Sequence, residues 1–284
     1  MVEKATKDLL VRLAHMCGLG TIIADIEPVT GGLMHRMYKV MTDSGVYAVK
    51  HLNPEIMKRP DVHENYARAE RIEGILENSG ISIVPAIVTG GKKMQRIDDQ
   101  YFYVFRWQQG KIADWNHISD EMCLKAGNLL GKIHAIEPRN IAPLTPETSS
   151  VDWRGYVLRA KEENAAIASL LEENEDLLVC AGNELNKARA SLPAVSCLSN
   201  EDMDPKNIMW DNGRPWMIDL ECLDYGNPIS HVMQLALQWS GIVSGKMDVD
   251  KMISFFDGYL EAYDNCFRGY SDVVGVAYTW VEWL

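Results

Sequence analysis

Three oxygen-bearing side chains lie close together late in the sequence, in an arrangement suited to phosphoryl transfer. Asp202 and Asn207 are five residues apart, and Asp219 follows after a short segment. A carboxylate such as Asp202 can accept the proton of a substrate hydroxyl. Hard oxygen ligands such as Asn207 and Asp219 bind Mg²⁺ between the phosphates of a nucleotide. We therefore predict Asp202 as the catalytic base and Asn207 and Asp219 as metal ligands.

The segment between Asn207 and Asp219 has the sequence of a β-hairpin. Residues 208–210 and 216–220 are β-prone, and Asp-Asn-Gly at 211–213 is a strong turn signal. A hairpin here returns the chain on itself. We therefore expect the three candidate side chains to share one end of it.

A glycine pair upstream is a candidate contact for phosphate. Gly31 and Gly32 stand between two predicted strands, where backbone N–H groups without a neighbouring Cβ can approach an anion. His35 and Arg36 follow the pair. The sequence allows them either to contact phosphate or to face solvent.

Lys50 is the second upstream candidate. It ends an apolar and aromatic strand at residues 47–50, so its ammonium must be solvated at an edge or paired. Glu70, on the following helix, is the predicted partner, and Glu64 and Glu73 are alternatives. Such a pair leaves Lys50 to bridge the α- and β-phosphates.

The elements that must position these residues divide the chain into two parts. Short β-prone stretches dominate the first third, together with a helix predicted over residues 62–79 and ended by Gly80. Helical spacing dominates the rest, and the predicted hinge lies near residues 105–110. We therefore predict an α+β fold with two lobes. A small β-rich N-lobe spans residues 1–106, and a larger, mostly helical C-lobe spans residues 107–284.

Composition and missing motifs exclude several classes of protein. The net charge of −12 opposes binding to nucleic acid or anionic membranes, while permitting a cationic substrate. No apolar run is long enough for a membrane span, and the charged N-terminus does not resemble a signal peptide. The six cysteines form no CxxC pair, and no Walker A, GxSxG or HExxH motif occurs. We expect a cytoplasmic protein, and the sequence indicates no protein partner.

The ordered set of motifs resembles the aminoglycoside phosphotransferase and choline kinase family, a branch of the protein-kinase-like fold. Three further motifs carry the likeness: Leu-Gly-x-x-His at 130–134, Ile-Asp-x-Glu at 218–221 and Gly-x-Pro at 226–228. The resemblance covers roughly residues 20–245 and supports the roles given above to Asp202, Asn207, Asp219 and Lys50.

The resemblance also implies cofactors and a reaction. It implies ATP or GTP with Mg²⁺, with the adenine received by backbone groups near Phe105, Arg106 and Trp107. The implied reaction moves the γ-phosphate to a hydroxyl of a small molecule, as in an aminoglycoside phosphotransferase. The alternatives are a choline- or ethanolamine-type kinase and a catalytically weak nucleotide-binding pseudo-enzyme.

Two positions depart from the family pattern. Asn200 stands where a histidine is usual, and His231 stands where an acidic residue is common. We read Asn200 as a structural substitution and hypothesise that Asn200 and His231 contact each other. His134, on the apolar stripe of its helix, is predicted to be a hydrogen-bonded core residue.

The acceptor is the least determined part of the prediction. Carboxylates at residues 172–176 suit the ammonium groups of an aminoglycoside, while aromatic residues of the C-lobe suit choline. The carboxylates fit a solvated helix face equally well, and the aromatic residues fit a core. The sequence therefore predicts an amine- or hydroxyl-bearing small molecule and leaves its identity open.

Overall fold

A computed structural model describes residues 2–29, 34–136, 151–192 and 195–263. By contacts, the chain forms two compact units. The first comprises Met1–Ile112 with Asn207–Leu223, and the second comprises Ala113–Lys206 with Asp224–Leu284. The first unit therefore includes a late piece of the chain, which holds Asn207 and Asp219.

The described residues form helices and strands in the following order. The helices are α1 (Lys4–Met16), α2 (Val62–Asn78), α3 (Asp120–His134), α4 (Trp153–Glu162), α5 (Ala168–Glu173), α6 (Glu175–Ser191), α7 (Pro228–Trp239) and α8 (Val249–Ala262). The strands are β1 (Glu27–Val29), β2 (Arg36–Thr42), β3 (Gly45–His51), β4 (Gln95–Ile97), β5 (Gln100–Arg106), β6 (Lys111–Ile112), β7 (Cys197–Asn200), β8 (Ile208–Asp211), β9 (Arg214–Met217) and β10 (Leu223–Gly226).

The first unit is built on a five-stranded antiparallel sheet in the order β1-β2-β3-β5-β4. Side chains alternate across a strand, so Tyr38 and Val40 of β2 point into the core. The helix α1, which the strand-rich reading of this region did not predict, adds Leu10 and Leu13 to the same core. One of the β-prone stretches of the first third, at residues 86–88, makes only an isolated bridge from Ala86 to β5.

The predicted hairpin between Asn207 and Asp219 is confirmed. Strands β8 and β9 pair antiparallel, and Asp211 opposite Arg214 closes a two-residue loop. Asn212 and Gly213 in that loop have φ of 50° and 75°, as a type I′ turn requires. The strand β6 completes a three-stranded sheet, and Val84 N–H donates to the carbonyl of Met217.

The second unit is mostly helical. Helices α3 and α8 pack closely because Gly127 and Gly258 lie where any Cβ would collide with the backbone of the facing helix. The helix α7 packs on both, and the strands β7 and β10 form a small sheet that was not predicted. The chain thus contains a β-rich unit and a mostly helical unit, which confirms the predicted α+β class. In the part of the chain that the structure describes, we find no helix with the length and apolarity needed to span a membrane.

Candidate active site

Lys50 is the centre of a buried ionic cluster in the first unit. It lies near the end of β3, and only 6% of it is exposed. Its Nζ lies 2.7 Å from Asp219 Oδ1 and 2.6 Å from Glu221 Oε1. A buried ammonium needs such partners, because removing it from water is otherwise costly. The structure thus brings Lys50 and Asp219, two of the predicted site residues, into direct contact.

The predicted pairing of Lys50 with Glu70 is wrong. The Glu70 carboxylate accepts hydrogen bonds from the Tyr103 hydroxyl at 2.8 Å and from Met94 N–H at 3.1 Å. Tyr103 lies opposite Lys50 in the pairing of β3 with β5. The side chain of Glu70 therefore binds Tyr103 of the neighbouring strand β5. The alternative partner Glu73 pairs instead with Lys93, at 2.9 Å.

Glu221 is held on its other side by His35. The distance from His35 Nε2 to Glu221 Oε2 is 3.1 Å, and Asn53 N–H donates to His35 Nδ1 at 3.0 Å. Because Nδ1 accepts a hydrogen bond here, the ring proton is on Nε2, and Nε2–H donates to Glu221. The Tyr66 hydroxyl lies 3.4 Å from the same Nε2. Of the two readings of His35, the structure contradicts the solvent-facing one, because the side chain is only 6% exposed. Its contact with phosphate remains a prediction.

The charges of this cluster stabilise one another. Burial by itself lowers the pKa of Lys50. The negative charges of Glu221 and Asp219 have the larger effect and raise this pKa above its ordinary value. Burial likewise works against ionised Glu221, but the hydrogen bond from His35 and the charge of Lys50 lower the pKa of Glu221 below its ordinary value. Both groups are therefore charged at neutral pH.

Asn207 and Asp219 lie at the same end of the β8–β9 hairpin, as the sequence predicts. Ile218 N–H donates to the carbonyl of Asn207 at 2.9 Å, and this bond fixes the residues flanking the hairpin next to each other. Asp219 has φ of 56°, in the left-handed region that few residues other than glycine adopt. Backbone strain of this kind is concentrated at functional sites, where surrounding structure maintains it.

These two residues suit a hard cation. A carboxylate and a carboxamide are oxygen ligands, and Mg²⁺ typically takes one or two carboxylates while phosphates and water complete its shell. Within the described ranges, no group of three or more His, Cys, Asp or Glu side chains forms a ready-made metal site. The donor set thus fits a cation that arrives together with phosphates.

Asp202 belongs to the second unit, in the loop of residues 200–206, which we call the Asp202 loop. Its Oδ1 accepts from Lys206 Nζ at 3.0 Å, and Lys206 Nζ also lies 2.6 Å from Asp204 Oδ2. Asp202 N–H donates to Asn200 Oδ1 at 3.1 Å. Asn200 therefore has a structural role in this turn, in line with its reading as a structural substitution.

The hypothesis that Asn200 and His231 contact each other is wrong. His231 is hydrogen-bonded to Ser199 Oγ through Nδ1 and to Glu201 Oε1 through Nε2, the latter at 3.1 Å. The ring nitrogens of His231 are therefore bonded to the two chain neighbours of Asn200. His134 is the buried, hydrogen-bonded residue predicted, with Tyr259 and Ser199 as its partners.

The remaining candidates lie around the end of β5 and the glycine pair. Phe105 and Arg106 end β5, and Trp107 N–H is already bonded to the carbonyl of Val46 at 3.0 Å. Gly31 and Gly32 lie outside the described residues. Their assignment to nucleotide binding, and that of residues 105–107, remains a prediction.

Sequence reasoning missed three residues of these clusters as site residues. Glu221 was visible only as the last member of the Ile-Asp-x-Glu motif, with no role assigned to it. His35 was noted without its carboxylate partner, and Lys206 was not singled out. Lys206 lies four residues after Asp202, and this spacing was the one signal in the sequence that could have indicated their ion pair.

Comparison with known proteins supports the fold. No curated protein matches the sequence. A spectinomycin phosphotransferase in complex with ADP and spectinomycin is 15% identical over 95% of this chain and 92% of that chain, with a TM-score of 0.66. The amicoumacin kinase hAmiN, in complex with AMP-PNP, Ca²⁺ and Ami, is 15% identical over 97% and 86%, with a TM-score of 0.60. A choline/ethanolamine kinase family protein from Mesorhizobium loti is 15% identical over 98% and 84%, with a TM-score of 0.63.

At such low identity these likenesses show a shared fold, and they confirm the predicted kinase-like class. The family follows from the sequence itself. Residues 25–271, most of the chain, match the phosphotransferase enzyme family. The protein therefore belongs to the phosphotransferase enzyme family and is a small-molecule phosphotransferase.

Proposed function

We propose that this phosphotransferase moves the γ-phosphate of ATP to a hydroxyl of a small molecule, with Mg²⁺ as the required ion. The observation that carries the proposal is the contact of the buried Lys50 ammonium with Asp219, 2.7 Å away, a residue whose backbone is strained just after the hairpin. A cation held beside a carboxylate that suits Mg²⁺ is the arrangement expected for a triphosphate site. The ADP and AMP-PNP bound in two structural relatives support an adenine nucleotide over GTP.

In the first unit, Lys50 would contact the α- and β-phosphates, and Asn207 with Asp219 would hold Mg²⁺. The bound ion supplies positive charge that neutralises the phosphates. The phosphates would replace Asp219 as one partner of Lys50, while Glu221 keeps the ammonium in place from the other side. This division of roles explains why Lys50 has two carboxylates within 2.7 Å.

In the second unit, Asp202 would accept the proton of the acceptor hydroxyl. The ion pair with Lys206 restrains the carboxylate, and the bond to Asn200 restrains its backbone. A positioned base of this kind contributes roughly 10²–10⁴-fold to the rate.

We also propose the chemical class of the acceptor. The net charge of −12 permits a cationic molecule, and the structural relatives include enzymes named for spectinomycin and for choline or ethanolamine. We favour an aminoglycoside-like acceptor and keep the choline type as the alternative. A cytoplasmic location suits an ATP-using enzyme whose cysteines Cys17, Cys123, Cys180, Cys197 and Cys222 are free thiols.

The test is ATP consumption in the presence of Mg²⁺ and a panel of aminoglycosides, choline, ethanolamine, methylthioribose and homoserine. We expect one class to stimulate turnover. Asp202→Asn should reduce that turnover by roughly 10²–10⁴-fold while leaving ATP affinity unchanged. Asp25→Asn is the control, since the Asp25 side chain is 97% exposed. Near-normal turnover of Asp202→Asn would refute the base, and ATP binding without stimulation by any compound would favour a pseudo-enzyme.

A further inference from the structure

A buried chain of hydrogen bonds in the second unit leads to the Asp202 loop. The Tyr259 hydroxyl and His134 Nδ1 are 2.8 Å apart, and His134 Nε2 lies 3.3 Å from Ser199 Oγ. Ser199 Oγ is also bonded to Nδ1 of His231, whose Nε2 lies 3.1 Å from Glu201 Oε1. The first four residues are buried, and the last is the neighbour of Asp202. We call this chain the histidine relay.

The bond at the Glu201 end of the histidine relay has a fixed direction. The Glu201 carboxylate only accepts, so His231 Nε2 carries a proton and donates to it. Burial lowers the pKa of His134 well below its ordinary value and keeps that ring neutral. One nitrogen of the His134 ring therefore donates and the other accepts, so the ring can link Tyr259 to Ser199.

Glu201 takes its orientation from His231 and not from packing. Its side chain is 70% exposed, whereas the side chain of His231 is 6% exposed. The hydrogen bond from His231 lowers the pKa of Glu201 below its ordinary value. A buried, fixed ring thus holds an exposed side chain next to Asp202 in the sequence.

The helix α7 also holds the far end of the Asp202 loop. Trp239 Nε1–H donates to the carbonyl of Met203 at 3.0 Å, and the Gln238 amide donates to Asp204 Oδ2 at 3.3 Å. Residues 231, 238 and 239 lie on one face of α7, because residues seven and eight positions apart are about two turns apart. The loop is therefore attached to one helix face on both sides of Asp202.

The His231 ring occupies space that a side chain at Gly226 would need. A Cβ on Gly226 would collide with three atoms of the His231 ring. Gly226 has no φ in the left-handed region, so its backbone conformation does not require glycine. The space that Gly226 leaves open is filled by the ring of His231.

We propose that His231 is a positioning residue for the catalytic base, acting through its hydrogen bond to Glu201 and fixed from behind by Ser199, His134 and Tyr259. The proposal rests on the function proposed above for Asp202. It assigns a role to one of the two positions at which this chain departs from the family pattern. It also means that α7 holds the Asp202 loop, which carries the base, in position.

Two substitutions of His231 separate positioning from packing. In His231→Gln the side-chain amide reaches the Nε2 position and still donates to Glu201, whereas in His231→Asn it reaches only the Nδ1 position, near Ser199. Hydrogen–deuterium exchange of residues 200–206 needs no acceptor and reports loop opening. We expect exchange to rise about tenfold in His231→Asn and to stay near wild type in His231→Gln. Equal exchange in the two variants, whether raised or unchanged, would overturn the proposal.

Kinetics with the stimulating acceptor give the second readout. His231→Asn should lower kcat about 10–100-fold, the order expected for a displaced base, with KM for ATP unchanged. Glu201→Ala should reproduce this loss, and the double variant should be no worse than either single one. Gly226→Ala should act in the same direction, because it moves the ring without removing a polar group. Additive losses would show that His231 and Glu201 act separately.

The two proposals fail in different ways. If Asp202→Asn is active, the base assignment is wrong, whatever the His231 variants do. If Asp202→Asn is inactive while His231→Asn has wild-type kcat and exchange, only the positioning role is wrong. Nitrogen NMR of the histidine rings adds a spectroscopic check. We expect a proton on Nε2 of His231 at pH 7, and a ring that carries its proton on Nδ1 alone would contradict the bond to Glu201 in the histidine relay.

Discussion

The ammonium of Lys50 lies 2.7 Å from the carboxylate of Asp219, a residue 169 positions further along the chain. The same ammonium is held by Glu221, and Glu221 is held in turn by His35. The phosphate-binding lysine of the proposed site is therefore anchored from the segment that carries the proposed metal ligand. The helix α2, where its partner was expected, contributes no carboxylate to it.

This arrangement predicts different effects for two glutamate substitutions. Glu221→Gln removes the charged anchor of a buried ammonium, and we expect it to weaken ATP binding about tenfold or more. Glu70→Gln should change ATP affinity little, because Glu70 serves Tyr103 and Met94. Titration calorimetry with a non-hydrolysable ATP analogue measures both. A larger loss of ATP affinity in Glu70→Gln than in Glu221→Gln would show that Glu70 of α2, and not Glu221, holds Lys50.

The stability of the protein should depend on pH through His134. Burial places the pKa of folded His134 well below its ordinary value, so the unfolded chain binds a proton that the folded chain does not. Stability is therefore fully present above about pH 6.5 and falls with pH below it, by about 1.4 kcal/mol per pH unit. His51, whose pKa burial also lowers, contributes with the same sign.

Urea unfolding at pH 7.5, 6.5 and 5.5 tests this dependence. His134→Asn should show a shallower fall of unfolding free energy than wild type, whatever its absolute stability. His117→Asn should keep the wild-type slope, since the His117 side chain is 79% exposed. Identical slopes in all three proteins would show that His134 is not the titrating group.

The close packing of α3 and α8 predicts opposite effects of glycine-to-alanine changes in two helices. A Cβ at Gly258 would collide with the carbonyl oxygen of Leu124, so Gly258→Ala should destabilise the protein by about 1–3 kcal/mol. Gly74, in the middle of α2, has no atom within 4 Å of an added Cβ. Gly74→Ala should therefore stabilise by about 0.5–1 kcal/mol through higher helix propensity. Thermal and chemical unfolding measure the difference, and a shared sign would contradict the packing.

The buried pair of Lys93 and Glu73 predicts a non-additive effect on stability. Their charged atoms are 2.9 Å apart, both side chains are more than nine-tenths buried, and Glu73 also accepts from Ala86 N–H at 2.6 Å. Lys93→Met leaves the buried carboxylate of Glu73 without its partner and should lower the free energy of unfolding by about 3–5 kcal/mol. The double variant Lys93→Met with Glu73→Met should recover most of that loss. A double variant as unstable as the sum of the single ones would show that the two residues act independently.

Local features of the fold could be predicted from the sequence because short-range chemistry sets them. The turn at Asn212 and Gly213 needs two residues that tolerate positive φ, and the sequence offers them between two β-prone runs. The helix α2 begins and ends within one residue of its predicted bounds, since its apolar spacing and Gly80 are both local signals. By contrast, α1 was missed although Leu10, Leu13 and Ala14 line one of its faces. Its burial depends on a sheet formed later in the chain.

The order and spacing of the motifs were enough for the sequence to determine the family, the reaction class and the candidate residues, because these depend on which groups occur and at what separation. The partners of those residues could not be chosen in this way. Glu64, Glu70, Glu73 and Glu221 all carry a carboxylate. Only the packing of residues 220–222 against α2 brings the carboxylate of Glu221 to Lys50. In the same way, the folded chain brings Ser199 and Glu201 to the ring nitrogens of His231, where the sequence had suggested Asn200. Tertiary structure decided these contacts because chemically equal side chains differ only in where the fold places them.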